Sequence, residues 1–157
     1  MPLIIGVLAL TAFVIPKPEV EKPEVFRFGA KLDEIKKSIS PLSETIEERN
    51  IEPIQLPTAK ESQIQLDVQG FMYAGKKRKA ELIFADGILD MVWVLTTPEE
   101  EQKLISSFEK LYGSPTHKKE DVTFFLNDGV AVRNNPHEVL FISDRLKEPY
   151  RQFLESR

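Results

Sequence analysis

The stretch Ala-Glu-Leu-Ile-Phe-Ala-Asp-Gly-Ile-Leu-Asp-Met-Val-Trp-Val-Leu, residues 80–95, predicts two strands joined by a turn. Ala80, Leu82 and Phe84 alternate with other residues, which is the pattern of a strand with one buried face. Asp86-Gly87 is a tight-turn signal, after which a second strand begins. That second strand, Ile88–Leu95, is expected to place four side chains on one side: Leu89, Met91, Trp93 and Leu95. The stretch therefore predicts an antiparallel hairpin.

More strands are predicted on both sides of this hairpin. Upstream, Ile64, Leu66 and Val68 alternate with polar residues, and Gly70 marks an expected bulge. Residues 42–60 are ambiguous, with a helical turn over Thr45–Asn50 and a proline-broken edge strand over Ile51–Leu56 as the expectation. Downstream, turn signals separate three further strands: Val122–Leu126, Val130–Arg133 and Val139–Ile142.

Three helices complete the pattern. Thr97-Pro98-Glu99-Glu100 combines an N-cap, a proline at the first helical position and a capping-box glutamate, and Gly113 ends the helix that follows. Leu32–Ile39 has apolar residues on one helical face. A last helical segment, Pro149–Ser156, is expected to bury Tyr150, Phe153 and Leu154. The order predicts an α+β fold, tandem-like α-βββ-α-βββ-α, with the helices packed on one face of an antiparallel sheet.

Residues 26–157 are thus expected to form a single α+β domain, which divides into two α-βββ halves over 26–95 and 96–157. A local echo supports duplication, because Phe84-Ala85-Asp86-Gly87-Ile88 resembles Phe125-Leu126-Asn127-Asp128-Gly129-Val130. The same residues are also what any hairpin turn needs. True duplication and simple turn chemistry therefore both remain open.

The chain resembles a group of small exported bacterial domains. The resemblance is carried by Gly29 before the first helix, by the hairpin around Phe84-Ala-Asp-Gly-Ile-Leu-Asp-Met-Val, and by the helix end Leu111-Tyr112-Gly113-Ser114-Pro115. The domains that the chain resembles are those grouped around the SmpA/OmlA lipoproteins and the tandem β-lactamase-inhibitor-protein fold. The resemblance implies protein-binding or envelope-assembly roles, and it transfers no functional residues.

The N-terminus is apolar and leads into a proline-rich segment. As a helix, Leu3–Ile15 would be about 20 Å long, against the roughly 30 Å hydrocarbon core of a bilayer. Residues 1–15 are therefore expected to be a signal peptide or a short membrane anchor, and the absence of cysteine excludes a lipid-modified N-terminus. Residues 16–25 contain Pro16, Pro18 and Pro23, so an extended Pro/Glu/Lys spacer is expected. The predicted location is periplasmic or otherwise exported.

Composition excludes several function classes. The net charge of −4 argues against nucleic-acid binding. With no cysteine in the chain, thiol catalysis and cysteine-ligated metals are impossible. His117 and His137 do not have a metal-ligand spacing, and the acidic residues are explained by caps and turns. No catalytic, cofactor-binding or metal-binding residue is therefore predicted, and the protein is not expected to be an enzyme.

Two surfaces are candidates for interaction. Lys76, Lys77, Arg78 and Lys79 are adjacent cations at a predicted hairpin tip, where they could contact anionic lipid headgroups, a phosphate-bearing polymer or an acidic protein, or simply be solvated.

The second candidate surface is aromatic and comprises Tyr73, Trp93, Phe124 and Phe125. Because Phe124 and Phe125 are adjacent, they point to opposite faces of the sheet. An open outer face would leave an apolar patch, whereas cover from residues 42–60 or a second core layer would remove it.

The leading hypothesis is an exported, non-catalytic protein-binding domain of the bacterial cell envelope, whose partner is another envelope protein. An anionic membrane surface is a further candidate partner. Two alternatives remain open: a specific enzyme inhibitor or immunity-type protein, and a small-molecule-binding protein or hydrolase with an unrecognised site. The last of these predicts a deep pocket that gathers polar side chains from both halves.

Overall fold

A computed structural model describes residues 19–156, so the apolar run 1–15 and the first three spacer residues lie outside the described residues. The helices are α1 (Leu32–Ile39), α2 (Glu101–Tyr112) and α3 (Asp144–Glu155). The first four strands are β1 (Thr45–Asn50), β2 (Gln63–Tyr73), β3 (Lys76–Ala85) and β4 (Ile88–Leu95). The last four strands are β5 (His117–Lys118), β6 (Val122–Phe125), β7 (Val130–Asn134) and β8 (His137–Ile142).

The strands form one antiparallel sheet in the order β1-β2-β3-β4-β8-β7-β6-β5. The α+β class is confirmed. Each half contributes four strands rather than three, and the added strands, β1 and β5, lie at the two edges. β1 occupies Thr45–Asn50, where a helical turn was expected, and Ile51–Leu56 is not a strand. Pro53 interrupts that second segment, because proline cannot donate to a ladder.

The element order repeats, but the sequence echo does not follow the repeat. In an α-ββββ repeat the β3–β4 turn corresponds to the β7–β8 turn. The echo instead matches the β3–β4 turn, Asp86-Gly87, with the β6–β7 turn, Asn127-Asp128-Gly129. Gly129 has a left-handed φ of 67°, and a Cβ there would lie 2.7 Å from the Ile142 carbonyl oxygen. The sequence similarity between the two segments therefore reflects the residues that tight turns need, at turns that do not correspond in the two halves.

Both faces of the sheet are covered. On the first face, α1 and α2 bury Ile35, Ile39 and Phe108 against the sheet. On the second face, α3 and the loop formed by residues 51–62 bury Leu146, Leu154 and Leu56. The expectation that all helices share one face is right for α1 and α2 and wrong for α3. The amphipathic pattern shows that α3 has an apolar stripe but does not identify the face that it covers.

A bulge in β4 changes the face of the sheet on which successive residues of that strand lie. Leu89 pairs with Phe84 and Met91 pairs with Ile83, so Asp90 is an extra residue without a partner in β3. Leu89 consequently packs in the first core and Met91 in the second, although alternation predicted them on one side. The bulge expected at Gly70 is present, since the β2–β3 register shifts between Val68 and Phe71.

Residues 19–25 form turns on the domain rather than the extended segment expected there. Val20 and Val25 pack against the first core, and the Tyr73 hydroxyl donates a hydrogen bond of 2.8 Å to the Val20 carbonyl. The Phe26 amide closes a turn onto the Pro23 carbonyl at 3.0 Å. Among the described residues, no helix has the length and apolar character needed to cross a membrane.

Burial predicts how two phenylalanine positions respond to truncation. Phe108 is fully buried in the first core, whereas Phe153 on α3 is 48% exposed. Phe108→Ala should lower the free energy of unfolding by about 3–5 kcal/mol, because it removes apolar contacts and leaves a cavity. The matched variant Phe153→Ala should lower it by less than about 1 kcal/mol. Urea unfolding followed by circular dichroism measures both, and equal losses would contradict this arrangement.

Candidate binding groove

The four cations of the predicted basic cluster are all paired within the domain. Lys76 lies 2.9 Å from Glu100, and Lys77 lies 2.6 Å from Glu44. Arg78 is buried and donates from both terminal nitrogens to Glu100, at 2.8 and 2.7 Å. These hydrogen bonds from Arg78 hold the pKa of the Glu100 carboxyl well below its usual range, against the opposing effect of burial.

The fourth cation, Lys79, belongs to a network on the second face. It lies 2.6 Å from Glu81 and 3.1 Å from Asp67, which also accepts from Arg49 at 2.5 Å. Burial opposes ionisation of Asp67, but hydrogen bonds from Arg49, Gln65 and Lys79 outweigh it and lower its pKa. Because these charges neutralise one another, Lys76–Lys79 does not form an unopposed basic surface.

The four predicted aromatic residues do not form one exposed patch. Tyr73 is 2% exposed and Phe125 1% exposed in the first core, and Phe124 is 1% exposed in the second. Phe124 and Phe125 do point to opposite faces, but each face is covered. Trp93 alone among the four is only partly buried, at the border of the second core.

Trp93 lies where two adjoining cavities meet on the second face, between α3, the loop 51–62 and the sheet. The cavities have volumes of about 460 and 280 Å³. Both are lined by the same four residues: Trp93, Arg133, Tyr150 and Phe153. The first cavity extends to Gln55 and Leu56, and the second to Lys119 and Asp121. We call the two cavities together the Trp93 groove.

One wall of the groove is the loop 51–62, whose backbone is held by side chains of the sheet. The Gln63 side-chain oxygen accepts from the amides of Gln55 and Leu56 at 2.8 and 2.9 Å. The Asp86 carboxylate accepts from three consecutive amides, those of Lys60, Glu61 and Ser62, at 2.8–3.1 Å. These hydrogen bonds hold the backbone of the loop 51–62 in place, although the loop has no regular secondary structure.

The other wall is α3, which is fixed at its N-terminus by the bulge residue of β4. The Asp90 carboxylate is fully buried and accepts from the hydroxyls of Ser143 and Thr58, each at 2.5 Å. The Ser143 amide also donates to the Asp90 carbonyl at 2.8 Å. Since Ser143 precedes α3 and Thr58 belongs to the loop 51–62, Asp90 fixes both walls relative to the sheet.

Arg133 crosses the floor of the groove. It lies opposite Glu138 in the β7–β8 pair and forms an ion pair with it through Nη2. Its guanidinium carbon lies 4.3 Å from the centre of the Trp93 ring, a distance typical of a cation–π contact. Burial raises the pKa of the Glu138 carboxyl despite the Arg133 charge. Within the described part of the chain, the buried Nε of Arg133 has no hydrogen-bond partner.

Tyr150 projects from α3 onto the same floor. Its ring lies 5.5 Å from that of Phe124, measured between centroids. Burial raises the pKa of the Tyr150 hydroxyl to about 12, with the Arg133 charge acting in the opposite direction. At neutral pH this hydroxyl is therefore protonated and can donate a hydrogen bond.

The described residues show no metal-binding cluster. From residue 19 to 156, histidine and acidic side chains form no group of three or more that could hold a metal ion. Nδ1 of His137 lies 3.5 Å from a Glu101 carboxylate oxygen, and Nδ1 of His117 lies 3.1 Å from the Thr116 hydroxyl. The groove brings together aromatic rings and hydrogen-bonding groups, an arrangement that can bind a ligand.

No protein-family model, curated protein sequence or solved structure matches this chain. The resemblance to the SmpA/OmlA and β-lactamase-inhibitor-protein fold group therefore stays a prediction.

Sequence reasoning identified Trp93 but missed the residues around it. The sequence pattern predicts Arg133 at the end of a strand and Asp90 inside one, and it indicates no role for either. Asp90 did carry a signal, because an aspartate between Leu89 and Met91 in an apolar strand is unusual. Burial of Phe153 is the expectation from the sequence, whereas it is 48% exposed on the groove wall.

The hydrogen bonds from the loop 51–62 to the Asp86 carboxylate are expected to be lost in acid. Backbone hydrogen bonds from Glu61, Ser62 and Lys60 lower the pKa of Asp86, so its stabilising effect is complete above the unfolded value of about 3.9 and is lost as pH falls through the lower folded pKa. The three amide proton shifts should titrate together below about pH 3.9 in NMR spectra. Asp86→Asn should abolish this transition, and a midpoint at or above that pH would contradict the anchor.

The buried position of Asp90 predicts a large effect of its removal. Asp90→Ala leaves the hydroxyls of Thr58 and Ser143 without their acceptor, so the free energy of unfolding should fall by about 3 kcal/mol. The control is Asp144→Ala, since the Asp144 side chain is 92% exposed and should contribute less than about 1 kcal/mol. Thermal and urea unfolding measure both variants. Similar losses would show that Asp90 does not hold the walls.

Proposed function

We propose that this chain is an exported, non-catalytic protein-binding domain of the bacterial cell envelope, and that it binds its partner in the Trp93 groove. The observation that carries the proposal is the composition of the groove, where Trp93, Tyr150, Phe153 and Arg133 meet around two open cavities. Tryptophan, tyrosine and arginine are the residue types that contribute most to binding at protein interfaces.

The preorganised walls support this proposal. The loop 51–62 is held by Asp86 and Gln63, and Asp90 fixes both the loop and α3. A groove that is already shaped loses less conformational entropy when a partner binds. Binding there would not require the domain to refold.

Several features bear on the class of partner and the location. The pairing of Lys76–Lys79 with carboxylates favours a protein partner over anionic lipid headgroups. A net charge of −4 argues against a nucleic acid. Export is supported by the uncharged apolar run Leu3–Ile15 in the sequence.

A small-molecule-binding protein is the second candidate, because polar groups from both halves line the groove. Gln63 comes from the first half, and Arg133 and Tyr150 come from the second. The larger cavity of about 460 Å³ is also within the usual size range of ligand sites.

Site-specific photo-crosslinking in the native host tests the proposed function. Phe153 is replaced by p-benzoylphenylalanine, which retains an aromatic ring at the groove wall. Irradiation should join this position to one discrete protein, recovered in the envelope fraction. The control replaces Lys110, which is exposed on α2 across the sheet from the groove.

The same product from both positions would contradict binding in the groove. Recovery of the chain and its product in the cytoplasmic fraction would contradict the envelope location. A groove position that crosslinks to no protein would favour the small-molecule alternative.

A further inference from the structure

Two acceptors near the centre of the Trp93 groove are already used by the chain itself. The Gln63 side-chain oxygen accepts from the amides of Gln55 and Leu56. Glu138, which is only 3% exposed, accepts from Arg133. Asp121 at the far rim is the one acidic residue among those lining the two cavities, and Lys119 beside it donates to the Leu154 carbonyl at 2.6 Å.

The groove presents unused donors at its centre. Arg133 lines both cavities with 34% of its side chain exposed, and within the described residues its buried Nε has no acceptor. The indole nitrogen of Trp93 can only donate, and the Tyr150 hydroxyl is protonated at neutral pH. A ligand that supplies acceptors would meet the exposed third of the Arg133 side chain, whereas the buried Nε is out of its reach.

The apolar part of the groove favours a ring or a large aliphatic side chain. Leu56, Ile83 and Met91 line the larger cavity beside Trp93, and Phe153 offers an exposed aromatic edge. Aromatic side chains bind such surfaces through their large apolar area and through ring-to-ring contacts. The apolar residues and the cation lie within one continuous groove.

The shape of the groove favours an extended chain over a compact molecule. Its two cavities meet at Trp93, Arg133, Tyr150 and Phe153, and run from the loop 51–62 at one end to Lys119 and Asp121 at the other. Side chains on either side of an acidic residue in a peptide could occupy the two cavities. The carboxylate would then lie against Arg133, where the cavities meet.

We propose that the Trp93 groove binds a segment of a partner protein in which an acidic residue adjoins an aromatic one, with the carboxylate bound by Arg133. Guanidinium groups match carboxylates because their planar N–H donors form two parallel, charge-assisted hydrogen bonds. The incoming carboxylate uses guanidinium donors that Glu138 leaves unoccupied. This proposal rests on the proposed function and specifies the chemistry of its partner.

Peptide binding tests the proposal directly, with Trp93 as the reporter because the chain contains one tryptophan. The probes are acetyl-Gly-Ile-Phe-Asp-Gly-amide and its Asn counterpart, which differ by one charged group. The Asp peptide should change Trp93 fluorescence saturably and bind about tenfold more tightly than the Asn peptide, as expected for a charge-assisted bond.

Two arginine variants separate the groove from general surface charge. Arg133→Gln should remove the preference and bind the two peptides equally. The matched control is Arg151→Gln on α3, whose side chain pairs with Glu148 and does not line the groove. Arg151→Gln should retain the tenfold preference. Phe153→Ala should weaken the binding of both peptides to the same extent.

Each other result overturns the proposal. Equal binding of the two peptides to the wild type would show that no carboxylate is recognised. If Arg151→Gln and Arg133→Gln reduce the preference for the Asp peptide equally, that preference arises from long-range charge alone. If 4-phenylbutyrate binds as tightly as the Asp peptide, the site is one for small aromatic carboxylates. If neither peptide binds although position 153 crosslinks to a protein, this partner chemistry is wrong while the proposed function stands.

Discussion

The antiparallel pairing of β4 with β8 determines how the other elements can be arranged. It joins the two halves into one sheet, and the register Trp93↔Leu140 places residues distant in sequence on neighbouring strands. Arg133 lies one strand further on and reaches across β8 to stack on Trp93. Without this junction each half would be a four-stranded sheet with an exposed central edge, which is prone to association with other chains.

The bulge at Asp90, on the β4 side of this junction, also positions α3 and the loop 51–62. A regular β4 would place Leu89 and Met91 on one face and leave Asp90 among the apolar residues of the other. The extra residue moves Leu89 to the first core and Met91 to the second. It also points a carboxylate at Ser143 and Thr58, so one local irregularity fixes the start of α3 and the loop 51–62. The walls of the groove therefore depend on a residue that does not line it.

The sequence predicted what short-range chemistry determines. The hairpin at Asp86-Gly87, the capping box before α2, the bulge at Gly70 and the opposite orientation of Phe124 and Phe125 were all correctly predicted. The face covered by α3 was not, because an apolar stripe does not specify the surface that it packs against. The strand β1 was missed because it is an almost wholly exposed edge strand, so it lacks the apolar alternation that reveals strands.

The ion pair of Arg133 and Glu138 is difficult to explain by stability alone. Glu138 is 3% exposed and burial raises its pKa, so desolvation opposes its charged form even beside Arg133. Buried ion pairs of this kind contribute little more to stability than apolar residues of similar size, and often less. The buried Nε of Arg133, without an acceptor among the described residues, adds a further unfavourable term. What the pair does provide is a guanidinium held against Trp93 in an apolar groove, oriented by Glu138 and still a third exposed. That arrangement is unfavourable for folding, and departures of this kind from the rules of stable packing are expected at binding sites, which is the role proposed for the groove.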